Sequence, residues 1–67
     1  MSLGKKIAQL RKLRDWKQED LAQKLNVHKS HISRWESGRM TPRVDALQRL
    51  AEIFGVSLED ITGEHSN

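Results

Sequence analysis

The sequence has no cysteine, a single proline and only three aromatic residues among its 67 residues. Without cysteine, neither a disulfide nor a thiolate metal site can stabilise the chain. No apolar run approaches the roughly 18 residues that span a membrane, and the first residues lack the apolar block of a secretory signal. These absences predict one small cytoplasmic domain over residues 1–67, with no membrane partner and a single compact core.

The charges are distributed unevenly along the chain. From Met1 to Arg43 there are 11 Lys and Arg against 4 Asp and Glu, whereas from Val44 to Asn67 there are 1 and 5, so the balances of +7 and −4 sum to +3. A basic first part indicates a polyanionic partner for that part of the chain. The alternative is a solvated charged surface that binds nothing specific.

Apolar residues at helical spacing predict an all-α fold of five helices. The first helix is predicted near Leu3–Arg14 from an apolar stripe at positions 3, 7, 10 and 13. The next two are predicted over Gln18–Leu25 and from His28 to Glu36 or Ser37, with Gly38 as a stop. Trp16 and Trp35 are expected in the core.

The fourth and fifth helices have recognisable start signals. Thr41 is expected to cap a helix whose first residue is Pro42 and which continues to Gly55. The stretch "SLED" at Ser57–Asp60 is typical of a capping box, and it predicts a short fifth helix with Leu58 and Ile61 turned inward.

The second and third helices are joined by a short connection centred on Asn26 and Val27. Asn tolerates the left-handed backbone of a tight turn. Two helices joined in this way, here over residues 18–37, make a helix-turn-helix whose second helix protrudes. A helix about 10–12 Å across fits the major groove of B-DNA, which is about 12 Å wide, so the motif predicts binding to double-stranded DNA.

With the stretches "IAQLRKLR", "KQEDLAQKLNVHKSHISRWESG" and "LQRLAEIFGVSLEDI", nearly the whole sequence resembles the phage-repressor (Cro-like, XRE) helix-turn-helix domains. The resemblance implies a five-helix, lambda-repressor-like DNA-binding fold. It also implies a sequence-specific transcriptional regulator, a repressor, that lies with its third helix in the major groove.

The resemblance implies roles for particular residues. Those that match base-contacting or groove-facing positions are Lys29, Ser30, Ser33 and Arg34, although Lys, Ser and Arg also bind phosphate. Those that match positions holding the DNA backbone are Gln18, Arg39 and Arg43. Arg11 and Glu36 match a partly buried salt bridge between the first and third helices.

The sequence departs from the family pattern at three positions. Lys17 and His28 stand where a Ser or Thr usually caps a helix, and the loss of such a cap costs about 1 kcal/mol. Asn26 replaces the usual Gly of the turn.

The two histidines at the start of the third helix do not predict a metal site. His28 and His31 have no carboxylate or cysteine within reach, so no metal or cofactor is expected. His31 is instead assigned to the DNA backbone, and His28 to a poor helix cap. Because there is no cysteine nucleophile, no glycine-rich phosphate-binding loop and no Ser-His-acid set that a small helical domain would bring together in a pocket, the chain is not expected to be an enzyme.

One helix in the groove covers only a few base pairs, so specificity predicts a homodimer on a roughly palindromic operator, with half-sites about 34 Å apart. The residues expected at the dimer surface are Phe54, Val56, Leu58 and Ile61. An alternative function is an antitoxin or adaptor whose acidic part binds a protein partner, such as a basic toxin. As a DNA-binding protein, the chain would be associated with the nucleoid.

Overall fold

The computed structural model describes residues 2–63, and within that range it contains five helices and no strand. The helices are α1 (Leu3–Leu13), α2 (Gln18–Leu25), α3 (Lys29–Ser37), α4 (Val44–Phe54) and α5 (Leu58–Thr62). The predicted all-α, five-helix architecture is therefore confirmed. No helix among the described residues is both long enough and apolar enough to cross a membrane.

The core lies where α1, α2, α3 and α4 meet, and α5 closes one end of it. The side chains that are less than 2% exposed are Ile7, Leu21, Leu25, Ile32, Leu50 and Ile61. Trp35 is 6% exposed, as expected of a core residue. Trp16 is half-buried against the core, and its ring stacks on that of Phe54 with the centroids 5.9 Å apart.

The end of α1 differs from the predicted apolar stripe. Ser2 caps the helix, since its hydroxyl accepts a hydrogen bond from the backbone N–H of Lys5 at 3.3 Å. Ile7 and Leu10 are buried as predicted, but Leu13 is 72% exposed. Leu13 is the last residue of α1, and Asp15 then turns the chain with a φ of 58°.

The fourth helix begins two residues later than predicted. Arg43 occupies the N-cap with an extended backbone, and Val44 is the first helical residue. Pro42 is buried and lines a small groove with Leu3 and Trp35, so it belongs to the packed connection between α3 and α4. The expectation that Thr41 and Pro42 open the helix is wrong.

The capping box of α5 is confirmed. The Ser57 hydroxyl accepts from the backbone N–H of Asp60 at 3.1 Å, and the Asp60 carboxylate accepts from the N–H of Ser57 at 3.2 Å. Leu58, however, was expected to turn inward and is 37% exposed.

Two residues expected at a dimer surface are buried in the monomer. Phe54 is 2% exposed and Ile61 is 1% exposed, because both complete the core. Neither can contact a second copy unless the core opens, so this part of the expectation is corrected. Val56 is half-buried and Leu58 is exposed, so these two remain accessible.

Candidate nucleic-acid interface

The connection between α2 and α3 has the expected left-handed residue. Asn26 adopts φ 59° and ψ 46°, and its N–H donates to the carbonyl of Gln23 at 3.1 Å. The N–H of Val27 donates to the carbonyl of Ala22 at 2.9 Å. These two bonds satisfy the end of α2 and turn the chain sharply into α3.

The α3 helix has one buried and one exposed face. Ile32 and Trp35, three residues apart, are 0% and 6% exposed and fix the helix to the core. On the other face Lys29, Ser33 and Arg34 are exposed, and their side chains form no hydrogen bond within residues 2–63. The predicted base-contacting side chains therefore lie on the exposed face of a helix whose opposite face packs against the core.

His28 caps α3 despite its unusual identity. Its ring nitrogen Nδ1 accepts from the backbone N–H of Ser30 at 3.1 Å, and it lies 2.9 Å from the Ser30 hydroxyl oxygen. At the start of α2, by contrast, the lysine side chain of the N-cap offers no acceptor. There the carboxylate of Asp20 accepts from the backbone N–H of Lys17 at 2.7 Å.

Arg11 and Glu36 form the expected ion pair, and it is nearly buried. Arg11 Nε lies 2.7 Å from Glu36 Oε2, and the two side chains are 11% and 9% exposed. A second bond joins Arg11 Nη2 to Glu36 Oε1 at 3.0 Å, so the pair is bidentate. The hydrogen bond to Glu36 raises the pKa of Arg11 further above its ordinary value.

The same carboxylate also holds a residue of α2. Gln18 Nε2 donates to Glu36 Oε1 at 3.1 Å, and Arg11 Nη1 donates to the carbonyl of Trp16 at 2.8 Å. The pair thus links α1, the start of α2 and α3. The predicted phosphate-binding residue Gln18 is fixed relative to the helix that carries the predicted base contacts.

Two grooves flank α3. The first, of about 290 Å³, is lined by Arg11, Lys17, Gln18, Glu19 and Lys29. It brings Gln18 and Lys29 together with Lys17, which the sequence indicated only as a missing helix cap. The position of Lys17 next to Gln18 in the sequence was the signal that could have predicted its place in this groove.

The second groove, of about 420 Å³, lies between α3 and α4 and brings His31 and Arg43 together. The His31 ring is half-buried and lies 6.3 Å from the Trp35 ring, centroid to centroid. Arg39 is exposed in the connection directly after α3. The predicted backbone-contacting residues thus lie on both sides of the predicted base-contacting ones.

Two residues that position α3 were not predicted. Arg49 of α4 donates from Nη2 to the carbonyl of Leu25 at 2.5 Å, next to the turn. Gly4 of α1 packs directly against the end of α3, and a Cβ on it would meet the carbonyl oxygens of Trp35 and Glu36, the latter at 2.6 Å. Neither role has a sequence signal, because each depends on a contact between distant segments.

The described residues contain no group of three or more His, Cys, Asp or Glu side chains placed to hold a metal ion. What they do contain is a short helix, a left-handed turn and a second helix with a basic outer face. This arrangement defines a helix-turn-helix domain of the kind found in DNA-binding transcription regulators.

A helix-turn-helix family model of the XRE type matches residues 7–61, so the chain belongs to this family of DNA-binding transcription regulators and phage repressors. It is 34% identical over 61 residues to the HTH-type transcriptional activator BcrR of Enterococcus faecalis, covering 91% of this chain and 30% of that protein. It is 32% identical over 66 residues to the immunity repressor protein of Bacillus phage phi105, covering 98% and 46%.

The chain is also 32% identical over 62 residues to the antitoxin PezA of Streptococcus pneumoniae, covering 92% of this chain and 39% of that protein. Among solved structures, a transcriptional regulator from Listeria innocua superposes with a TM-score of 0.90 at 26% identity, covering 98% of this chain and 62% of that one. The chain thus spans less than half the length of the three curated relatives named here.

Proposed function

We propose that this chain is a sequence-specific, double-stranded DNA-binding domain that represses transcription by placing α3 in the major groove. The observation that carries the proposal is the division of α3 into two faces. Ile32 and Trp35 hold one face in the core, while Lys29 and Arg34 on the other face are exposed and form no side-chain hydrogen bond with the rest of residues 2–63. Exposed cations on a rigid helix are suited to base edges and phosphates.

Within this proposal, Lys29, Ser30, Ser33 and Arg34 contact bases. Gln18, His31, Arg39 and Arg43 contact the DNA backbone, and Lys17 joins them because it lines a groove with Gln18. A bidentate Arg contact to guanine is the commonest specific contact in the major groove, so Arg34 is assigned the main role in specificity.

We infer a homodimer on a palindromic operator, with half-sites about 34 Å apart, because one helix contacts too few base pairs to be selective. Val56 is half-buried and Leu58 is exposed, so these two apolar residues at the end of the chain's described part support a dimer surface. Sedimentation of the chain with and without operator tests the dimer, and Leu58→Lys is expected to weaken it.

The proposed function is tested by selection from random duplex DNA at about 0.15 M salt. We expect enrichment of a two-fold-symmetric motif. Arg34→Ala should then cost about 1–3 kcal/mol on the selected site and relax the preference at one base pair. Arg39→Ala should weaken binding to all duplexes and reduce the salt slope by about 1.

Lys12→Ala is the matched control, because it removes the same charge from an exposed position of α1. It should leave base preference unchanged. Strong binding without an enriched motif would contradict sequence specificity, and no binding would contradict the proposed function.

A second candidate is an antitoxin or protein-binding adaptor, which the likeness to antitoxin PezA supports. Charge reversal separates the two candidates. If Lys29→Glu and Arg34→Glu abolish function while Glu59→Lys in α5 does not, DNA is the target. The opposite result favours a protein partner bound by the acidic part of the chain. In either case we expect no catalytic activity, and we expect the protein in the cytoplasm, with the nucleoid.

A further inference from the structure

The N-cap of α3 carries a group whose protonation changes what it can do. Ser and Thr caps keep the same hydrogen-bonding character at every physiological pH, whereas an imidazole gains a second proton between about pH 5 and 8. Here the cap is His28, and both of its hydrogen bonds go to Ser30, a residue assigned above to base contact.

The cap requires one particular form of the ring. For the backbone N–H of Ser30 to donate to His28 Nδ1 at 3.1 Å, Nδ1 must carry a lone pair, which the neutral ring with its hydrogen on Nε2 supplies. With no hydrogen on Nδ1, the contact at 2.9 Å requires the Ser30 hydroxyl to be the donor. The hydroxyl therefore directs its hydrogen towards His28 and presents only lone pairs elsewhere.

Protonation of Nδ1 changes both bonds. The ring can no longer accept from the Ser30 N–H, so the cap of α3 is lost. Nδ1–H instead donates to the Ser30 hydroxyl oxygen, and the hydroxyl hydrogen becomes free to point outward. The proton comes from solvent, and no covalent bond other than N–H is formed.

We propose that His28 is a positioning residue: its protonation state sets the order of the first turn of α3 and the hydrogen-bonding direction of Ser30. The proposal rests on the proposed DNA-binding function for its second half only. With His28 neutral, Ser30 accepts from adenine N6 or cytosine N4. With His28 charged, Ser30 donates to guanine O6, thymine O4 or a purine N7.

The surroundings of the ring offer no competing partner in the described chain. The first turn of α3 contains no acidic residue. Among the elements packed against α3, Arg11 of α1 is paired with Glu36, Lys24 of α2 lies 4.6 Å from the centroid of the Trp16 ring, and Asp20 of α2 accepts from the N–H of Lys17. On the side of α4, Arg49 donates to the carbonyl of Leu25, and Arg43 and Asp45 line the groove that His31 lines. The charged or titratable neighbours on α3 itself are Lys29, His31, Arg34 and Glu36. None of these groups forms a hydrogen bond or ion pair with His28.

The cap is tested first in the free protein by NMR, between pH 8 and about pH 5.5. We expect hydrogen exchange of the Ser30 amide, corrected for its intrinsic pH dependence, to lose protection as the pH falls. His28→Ser should keep protection at both pH values, and His28→Ala should lack it at both.

His31→Gln is the control for the second histidine of the helix, and it should retain the transition. A Ser30 amide that is equally protected at pH 8 and at about pH 5.5 would overturn the proposal. None of these measurements uses DNA, so they are decided separately from the proposed function.

The direction of the Ser30 hydroxyl is tested with duplexes that differ at the base pair whose recognition depends on Ser30, as identified with Ser30→Ala. The wild type should change its relative preference there by about 2- to 12-fold between the two pH values, the worth of one hydrogen bond. His28→Ser should not change it. An unchanged wild-type preference would overturn the part of the proposal that concerns the direction of the Ser30 hydroxyl. If no duplex is bound, the proposed function falls together with this half, while the amide protection still decides the cap.

Discussion

Replacing Glu36 by Ala should be among the most damaging single changes to the stability of this chain. The substitution removes three hydrogen bonds to the carboxylate, two from Arg11 and one from Gln18. The guanidinium that remains is 11% exposed and retains its bond to the carbonyl of Trp16. A cation left nearly buried without its counter-charge typically costs about 3–5 kcal/mol.

That cost is comparable with the total stability of a domain this small. At about 0.05–0.15 kcal/mol per residue, the free energy of unfolding should be about 3–10 kcal/mol. With about 4–8 °C per kcal/mol, Glu36→Ala should lower the melting temperature by about 12 °C or more. Urea denaturation followed by circular dichroism at constant pH gives the free-energy difference directly.

Three comparisons make the measurement decisive. Glu52→Ala removes an exposed Glu from α4 and should change stability by less than about 0.5 kcal/mol. Glu36→Gln retains an acceptor for Arg11 and should cost less than Ala does. Combining Arg11→Met with Glu36→Leu should recover most of the loss, because no buried charge remains unpaired. A loss below about 1 kcal/mol for Glu36→Ala would refute the reasoning, since it would mean that water replaces the carboxylate freely.

Two further predictions concern packing. Gly4→Ala should destabilise the protein, because its Cβ would meet the backbone carbonyls at the end of α3, which cannot rotate away as a side chain could; urea denaturation measures the loss, and a stability equal to the wild type would contradict the close approach. Leu50→Ala should cost about 2–5 kcal/mol because the side chain is 0% exposed, whereas Leu13→Ala should change stability by less than about 0.5 kcal/mol because Leu13 is 72% exposed; equal losses for the two variants would contradict the assigned core.

Local signals in the sequence predicted most of the helical framework. The second helix was predicted with the bounds found, because acidic residues in the first turn and Asn after the last are local signals. The start of α4 was misplaced because Thr-Pro is a strong local signal that tertiary packing overrides, with Pro42 buried near Leu3 and Trp35. Exposure was harder to predict than helicity, since Phe54 and Leu58 lie close together in sequence, yet one completes the core and the other does not.

The candidate site was predicted as a set of side chains on α3, and the structure places those side chains on its accessible surface. Their supports were harder to predict. The ion pair of Arg11 with Glu36 came from the family resemblance, whereas the contacts of Arg49 and Gly4 join segments far apart in sequence. The bonds between His28 and Ser30 are local, but Ser or Thr is the preferred cap, so sequence rules gave histidine only a weak role.

The link from Arg11 through Glu36 to Gln18 has a consequence for genetics. A screen for variants that lose regulation would recover substitutions at Arg11 and Gly4 as well as at Arg34. Arg11 and Gly4 position α3 within the fold, whereas Arg34 lies on its exposed face. Phenotype alone would then identify more residues than those that contact a ligand. Protein abundance in the cell separates the two groups. Variants at Arg11 and Gly4 should be depleted by proteolysis because they are destabilised, whereas variants at Arg34 should accumulate normally.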